Sequence, residues 1–291
     1  MQSVIQKHPS GVRALNLGLT FELLWVLVSR ELRGRYRGSY LGWAWALVRP
    51  LVMLAIYGLI VGVVLGAAKS TPDFMIFIFV GLISWNLFAS IINGSISSVM
   101  AGSSLISKAS FPRILLPIAA LIVALVDAMF QMAVLVLAYV IVGSWPSLGG
   151  LAYLIPAFLG LVFFGLGLGL ILASINVYIR DVNFLTEVVL QVGFWLCPIL
   201  YSYGLVVRGA EAYGWPVGLI TQVYLLNPMA SVVLGFQKAL WPPASTPEGS
   251  AFSFPGLLDE RLLVLVFAGL AFLALGVWTF HRLSRNFAQE L

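Results

Sequence analysis

Six apolar runs, each near the ~20 residues that carry a helix across a bilayer, govern what this chain can fold into. They cover about 44–67, 74–96, 114–142, 151–175, 184–203 and 262–280. Gly and Pro inside them do not veto a span, because neighbouring helices can satisfy the freed backbone groups. Only 9% of the residues are charged, against about 25% in an ordinary soluble domain. Little chain remains for a water-exposed domain. The expectation is one all-α polytopic membrane domain over 1–291 with six transmembrane helices.

Basic residues set its orientation. With the N-terminus inside, twelve of the sixteen Lys and Arg fall on one side: Lys7, Arg13, Arg30, Arg33, Arg35, Arg37, Arg49, Lys108, Arg113, Arg180, Arg282 and Arg285. Lys69, Arg208, Lys238 and Arg261 fall on the other. Both termini and the 2–3 and 4–5 loops are therefore expected in the cytoplasm. The stretch 204–261 is then external. Within it Asn227-Pro228 reads as a helix start, with Pro at the first helical position. The helix that follows is too short to span, so short external re-entrant or interfacial helices are expected before the last span.

Several chemistries are excluded early. The single cysteine, Cys197, permits neither an internal disulfide nor a Cys-based metal cluster. His8 and His281 lie near opposite ends, so no metal site is expected. No G-x-x-x-x-G-K-[ST] phosphate loop occurs, so the chain has no ATP site of its own and is not expected to be an enzyme or to bind a cofactor. The stretch "LTFELLWVLV" contains Glu22 and leads into arginines, so a cleavable signal peptide is not expected.

Residues 20–37 form an amphipathic helix on a helical wheel, with Phe21, Trp25, Val28, Leu32 and Tyr36 on one side and Arg30, Arg33 and Arg37 opposite. Such a helix lies in the membrane interface, apolar face toward lipid. Its arginines serve as a topology signal met by anionic lipid, or as a cradle for a phosphate-bearing substrate, and the two roles are compatible. Arg33, Arg35 and Arg37 match phosphate oxygens in a fork geometry. Gly38 and Gly42 allow a tight turn whose N–H groups approach an anion, and Ser39 and Tyr40 add hydroxyl donors.

Aromatic residues crowd the spans. Trp43, Trp45 and Tyr57 fall on the first, Trp85 and Phe88 on the second, and Phe194, Trp195 and Tyr201 on the fifth. They form interfacial belts facing lipid, or they line a channel whose ring faces pack against sugar C–H faces. Asp127 and Gln131 lie one turn apart in the third span. A carboxyl at that depth is costly and faces the protein interior, as a pore group, a proton-coupling group or a hydrogen-bonded packing contact. Gly58, Gly62 and Gly66, and again Gly165 and Gly169, have the spacing that lets helices approach closely, within one subunit or at a dimer seam. Pro198 interrupts the fifth span. It leaves "ILYSYG" irregular and, with the Asn227-Pro228 helix, able to form an external gate.

Four stretches in order carry a resemblance: "SRELRGRYRGSYLGWAWALVRPLVMLAIY", "SKASFPRILLPIA", "NVYIRDVNFLTEVVLQVGFWLCPILYS" and "LLNPMASVVLGFQKAL". Together they resemble the membrane subunit of polysaccharide ABC exporters, the ABC-2 type permeases that export O antigens and teichoic acids, over nearly the whole chain. The resemblance implies a homodimer paired with two copies of a separate ABC ATPase that carries ATP and Mg, in the bacterial cytoplasmic (inner) membrane. The implied substrate is a polysaccharide on undecaprenyl diphosphate, with Arg33, Arg35, Arg37 and the Gly38–Gly42 turn receiving the diphosphate. It also implies ATPase contacts at Ser107, Lys108, Phe111 and Arg113, where composition alone reads a connector. Arg180 and Asp181 would be a second ATPase contact or a local salt bridge. Membrane lipid is the other expected partner, and nucleic acid is not one.

The alternatives are an ABC-2 permease for a drug or small lipid, a proton-coupled carrier and a membrane enzyme. A carrier would need internal repeats and more buried charge. An enzyme of the same pathway would need paired acids, which Asp259-Glu260 and the lone Asp127 do not supply.

Overall fold

The computed structural model describes residues 17–36, 42–64, 66, 73–103, 112–242 and 254–290, and among them it holds helices and no strand. In chain order these are α1 (Leu17–Tyr36), α2 (Trp45–Tyr57), α3 (Phe74–Ala101), α4 (Leu115–Val142), α5 (Leu154–Asn176), α6 (Asp181–Trp195), α7 (Tyr203–Ala212), α8 (Val217–Leu225), α9 (Pro228–Leu240), α10 (Leu258–Ser284) and α11 (Phe287–Glu290). A 3-10 turn, Gly42–Ala44, precedes α2, and a π-helix, Gly58–Val64, extends it. One further helical turn, Leu148–Leu151, leads into α5.

Among the described residues, five stretches are long and apolar enough to cross a membrane: Trp45–Val64, Phe74–Ala101, Leu115–Val142, Leu148–Asn176 and Leu258–Ser284. The chain is an all-α polytopic membrane protein. The fifth expected span, 184–203, differs from a continuous helix. Its helix α6 has 15 residues, or about 22 Å at 1.5 Å per residue, which falls short of a ~30 Å hydrocarbon core. The chain leaves the helix after Trp195 and turns through 196–202, where Pro198 has no N–H to continue a helix. A sixth crossing is instead available as the pair α8 and α9, bent by 91° at Leu226-Asn227.

Helix α3 is apolar almost all round and forms the centre of the bundle, as such helices do. Without water inside the bilayer to drive association, helix contacts rest on close packing through small residues. Gly165 and Gly169 of α5 take up Phe88, Ile91 and Ser95 of α3, so this glycine pair serves packing within the subunit. A Cβ on Gly276 of α10 would stand 2.4 Å from the carbonyl oxygen of Gly167 on α5. The two backbones therefore cross in direct contact. In the π-helix that extends α2, Gly58 lies against the side chain of Met75.

The Asn227-Pro228 helix is not a surface element. Asn227 caps α9, its side chain accepting from the N–H of Met229 at 3.1 Å, and Pro228 occupies the first turn. Most of α9 is buried against α3, α5 and α10, with Gly235 seated on Ala157 and Leu262. It is a wedge buried in the bundle. Its far end is tied down where the Tyr139 hydroxyl donates to the Leu240 carbonyl.

The entry helix α1 starts three residues earlier than the expected 20–37 and packs on α4. Its apolar stripe divides. Leu27 and Val28 are buried and Leu32 packs against the core, while Phe21, Trp25 and Val26 stay exposed. The expected lipid-facing surface thus keeps Phe21 and Trp25 and gives Val28 and Leu32 to protein, because one side of the helix has α4 as a neighbour.

Candidate functional site

Four helices line an open hollow of mixed polar and apolar character, and each contributes residues at helical spacing. From α2 come Trp45, Arg49 and Met53; from α4, Asp127 and Gln131; from α6, Asn183 and Glu187. From α3 come Asn86, Ser90, Asn93 and Ser97, spaced four, three and four residues apart, which places them on one face. The cavity they line has a volume of about 800 Å³. A second cavity of about 370 Å³ shares Met53, Asn86, Asn93 and Glu187 with it and continues along the same helices to Tyr57, Trp85 and Phe194. The lining positions rise along α2 and α6 and fall along α3, so the hollow runs lengthwise between antiparallel helices. Its Arg49 and Ser97 end is polar, and its Tyr57, Trp85 and Phe194 end is aromatic.

Hydrogen bonds hold part of this lining. The Asn86 side-chain N–H donates to Gln131 Oε1 at 2.9 Å, joining α3 to α4. The Asn183 side chain donates to Glu187 Oε1 at 3.2 Å, and its backbone N–H donates to Asn176 Oδ1 at 3.0 Å, fixing the turn from α5 to α6. Asn93 Oδ1 is buried with no hydrogen-bond partner. At the aromatic end, Trp85 meets Phe194 edge-on, centroids 6.0 Å apart.

Beyond that end the turn 196–202 and the wedge α9 close the bundle. Gln237 of α9 donates to the Pro198 carbonyl at 2.8 Å, and Ile199 lies against Gly81. The Asn227 side-chain N–H reaches the Leu196 carbonyl at 3.4 Å and Cys197 Sγ at 3.5 Å. The Tyr201 and Tyr224 hydroxyls lie 3.2 Å apart. Ser202 Oγ and Gln237 Oε1 are buried there without partners. The plug is a seam of single hydrogen bonds with acceptors to spare.

Of the residues singled out from the sequence, Trp45, Tyr57, Trp85, Phe194, Asp127 and Gln131 come together in this hollow. Phe88 does not. It is buried, stacked on Phe164 of α5 with centroids 6.0 Å apart, because it projects from the opposite side of α3. Trp195 is exposed beyond the end of the hollow, and Tyr201 belongs to the plug, donating to the Trp195 carbonyl at 3.1 Å. Gly42 opens the 3-10 turn with φ +49°, a left-handed conformation that glycine adopts without strain. Trp43 follows it in that turn. Arg33 is exposed on α1, and Arg35 lies in the same helix.

Arg37, Gly38, Ser39, Tyr40, Ser107, Lys108 and Phe111 lie outside the described residues. Arg113 stands apart from the main hollow. With His281, Ser284 and Arg285 it lines a cavity of about 510 Å³, and its guanidinium is 6.0 Å from the Phe287 ring centre. Arg180 and Asp181 are both exposed where α6 begins, Asp181 in its first turn. The α3 stripe of Asn86, Ser90, Asn93 and Ser97, with Arg49 and Glu187, is absent from the sequence-based set of candidates. Its signal was the four-three-four spacing of polar residues in an apolar run.

Residues 22–241 match the family described as ABC-2 type transporter. Among curated relatives, an O-antigen export system permease protein, RfbA, of Klebsiella pneumoniae is 27% identical over 95% of this chain and 97% of its own length. The protein of the same name from Myxococcus xanthus is 30% identical over 75% of this chain and 80% of its own. A polysialic acid transport protein, KpsM, of Escherichia coli is 26% identical over 84% and 90%.

Proposed function

Given that the chain belongs to the ABC-2 type transporter family, we propose that it is the membrane-spanning permease subunit of an ATP-driven exporter of lipid-linked polysaccharide. The observation that carries this reading is the lengthwise hollow between α2, α3, α4 and α6, polar at one end and ringed by Tyr57, Trp85 and Phe194 at the other. A glycan presents hydroxyls on its edges and C–H groups on its ring faces. A hydroxyl moved into lipid without a partner costs about 2–7 kcal/mol, depending on the reference state. A path for a polymer of sugars therefore needs many polar groups, none of them a deep well, and aromatic faces for the rest. A small apolar drug would not need the polar face of α3. The names of the relatives, an O-antigen permease and a polysialic acid transporter, agree with this substrate class.

In this reading the carrier is undecaprenyl diphosphate and the polymer is of the O-antigen or teichoic-acid type. Arg33, Arg35 and Arg37, with Gly38, Ser39, Tyr40 and Gly42, receive the diphosphate at the inner face of the cytoplasmic membrane, where both termini also lie. The sugars then enter beside Trp45 and Arg49 and leave past the plug of 196–202 and α9. Two copies of this chain work with two ABC ATPase subunits, which hold ATP and Mg. Ser107, Lys108, Phe111, Arg113, Arg180 and Asp181 transmit the ATPase's motion.

The test is reconstitution of the chain in liposomes with a partner ABC ATPase subunit. The expected result is ATP turnover that rises several-fold with an undecaprenyl-diphosphate glycan and moves that glycan across the bilayer. Turnover that responds only to small lipids or drugs, or not at all, would overturn the polymer assignment.

A further inference from the structure

The polar residues of α3 are not scattered. Asn86, Ser90, Asn93 and Ser97 recur once per helical turn along the hollow, at intervals of ~5.4 Å. Polar side chains inside a membrane usually hydrogen-bond across to a neighbouring helix, and Asn86 does so with Gln131. Asn93 leaves its Oδ1 buried and unmet. An unmet buried acceptor is costly, and an apolar residue at the same position would avoid that cost. Asn93 also borders both cavities, at the place where the polar end passes into the aromatic end.

We propose that this face of α3 is a hydroxyl rail for the glycan, with Asn93 as the station between its two halves. The proposal rests on the polysaccharide reading above and adds which residues handle the sugar and what they recognise. Rotation of the Asn93 amide about its Cβ–Cγ bond brings the unmet oxygen to the hollow. There it accepts a sugar O–H. Gln131 has its oxygen occupied by Asn86 and keeps its two N–H donors for the chain. Ser97 donates to the Gly94 carbonyl at 3.2 Å and keeps its lone pairs as acceptors. Successive sugars of an extended glycan are spaced close to one helical turn. A chain that advances by one sugar thus exchanges each partner for an equivalent one, and no position along the rail traps it. None of the four stripe residues carries a charge, so the rail itself offers hydroxyl partners and no ion pair, while Arg49, Asp127 and Glu187 supply the charge on the facing helices.

The experiment uses the full chain in lipid nanodiscs, with maltoheptaose as an uncharged glycan probe and inorganic pyrophosphate as an anionic one. Binding is followed by the fluorescence of Trp45 and Trp85 in the hollow, with variants that keep every other tryptophan. Wild type and Asn93→Ser are expected to bind maltoheptaose, and Asn93→Ala at least tenfold more weakly. Ser and Ala are similar in size, so their difference reports the hydroxyl and not the packing. Pyrophosphate is expected to leave the Trp85 signal unchanged, since Arg49 stands beside Trp45 and not beside Trp85. Equal binding by Ser and Ala, or no response to maltoheptaose, would overturn the rail. In proteoliposomes with the partner ATPase, Asn93→Ala is expected to slow glycan export tenfold or more and Asn93→Ser about twofold. A wild-type protein that exports glycan while Asn93→Ala exports it equally well refutes the rail alone. A wild-type protein that exports no glycan refutes the polysaccharide reading itself.

Discussion

Gln237 donates a side-chain N–H to the carbonyl oxygen of Pro198, 2.8 Å away and 39 residues earlier in the chain. This bond ties the wedge α9 to the turn that interrupts the broken span. The carbonyl it meets belongs to irregular backbone, which inside a membrane must find its partners in protein. Gln237→Leu removes that partner and leaves the carbonyl buried. The expected loss is about 1–3 kcal/mol of local stability. It is measurable as a lower melting temperature in detergent and as faster hydrogen exchange confined to 196–202. Unchanged exchange there would show that the bond holds nothing in place.

Asn227 combines two tasks, capping α9 and reaching the Leu196 carbonyl and Cys197. Asn227→Ala loses both. A lost cap alone costs about 0.5–2 kcal/mol. Asn227→Asp keeps the cap acceptor but lacks the N–H donor. The expected order of thermal stability is therefore wild type, then Asp, then Ala, read by fluorescence-detected melting. Equal stability of the Asp and Ala variants would mean that the cap contributes nothing.

Phe88 and Trp85 lie three residues apart on α3 yet face different surroundings, a stacked contact with Phe164 and the second cavity. Phe88→Ala is expected to cost a few kcal/mol in folding, since deletions of buried Phe cost about 3–5 kcal/mol, and to lower the amount of protein in the membrane. Trp85 is buried as well but lines the second cavity, so it is tested by the milder Trp85→Phe, which is expected to leave that amount near normal and to reduce glycan export several-fold. Immunoblots of membranes and an export assay on the same cells separate the two outcomes.

The basic collar carries its own test. Arg33→Gln, Arg35→Gln and Arg37→Gln, introduced together, are expected to leave insertion intact and to stop export. Membrane insertion is read by carbonate extraction and export by surface polysaccharide. Normal export by the triple variant would remove these arginines from the mechanism.

Five of the six expected spans were legible in the sequence because apolar length is a physical requirement of the bilayer, and a run such as 114–142 has no other reading; the fifth, 184–203, was not, because its helix ends at Trp195, before Pro198. The start of α9 was legible too, since Asn227 followed by Pro228 satisfies the first turn locally. Its burial was not, because the surfaces that cover Gly235, those of Ala157 and Leu262, come from helices remote in sequence. The aromatic residues divide for the same reason. Helix α3 is apolar on nearly every side, so periodicity cannot say that Trp85 meets the hollow and Phe88 meets α5. The stripe of Asn86, Ser90, Asn93 and Ser97 had a readable spacing, but it becomes a cavity wall only when Arg49, Gln131 and Glu187 arrive from three other helices.

The contact between Gly167 and Gly276 limits how such a machine can move. Where two main chains touch, no layer of side chains lies between them to slide or change rotamer, so α5 and α10 turn as one body. That makes the pair a fixed post. Any rocking that opens one end of the molecule and shuts the other must fall to the loosely covered first span and to the short helix ending at Trp195, swinging past the post like doors on a common jamb.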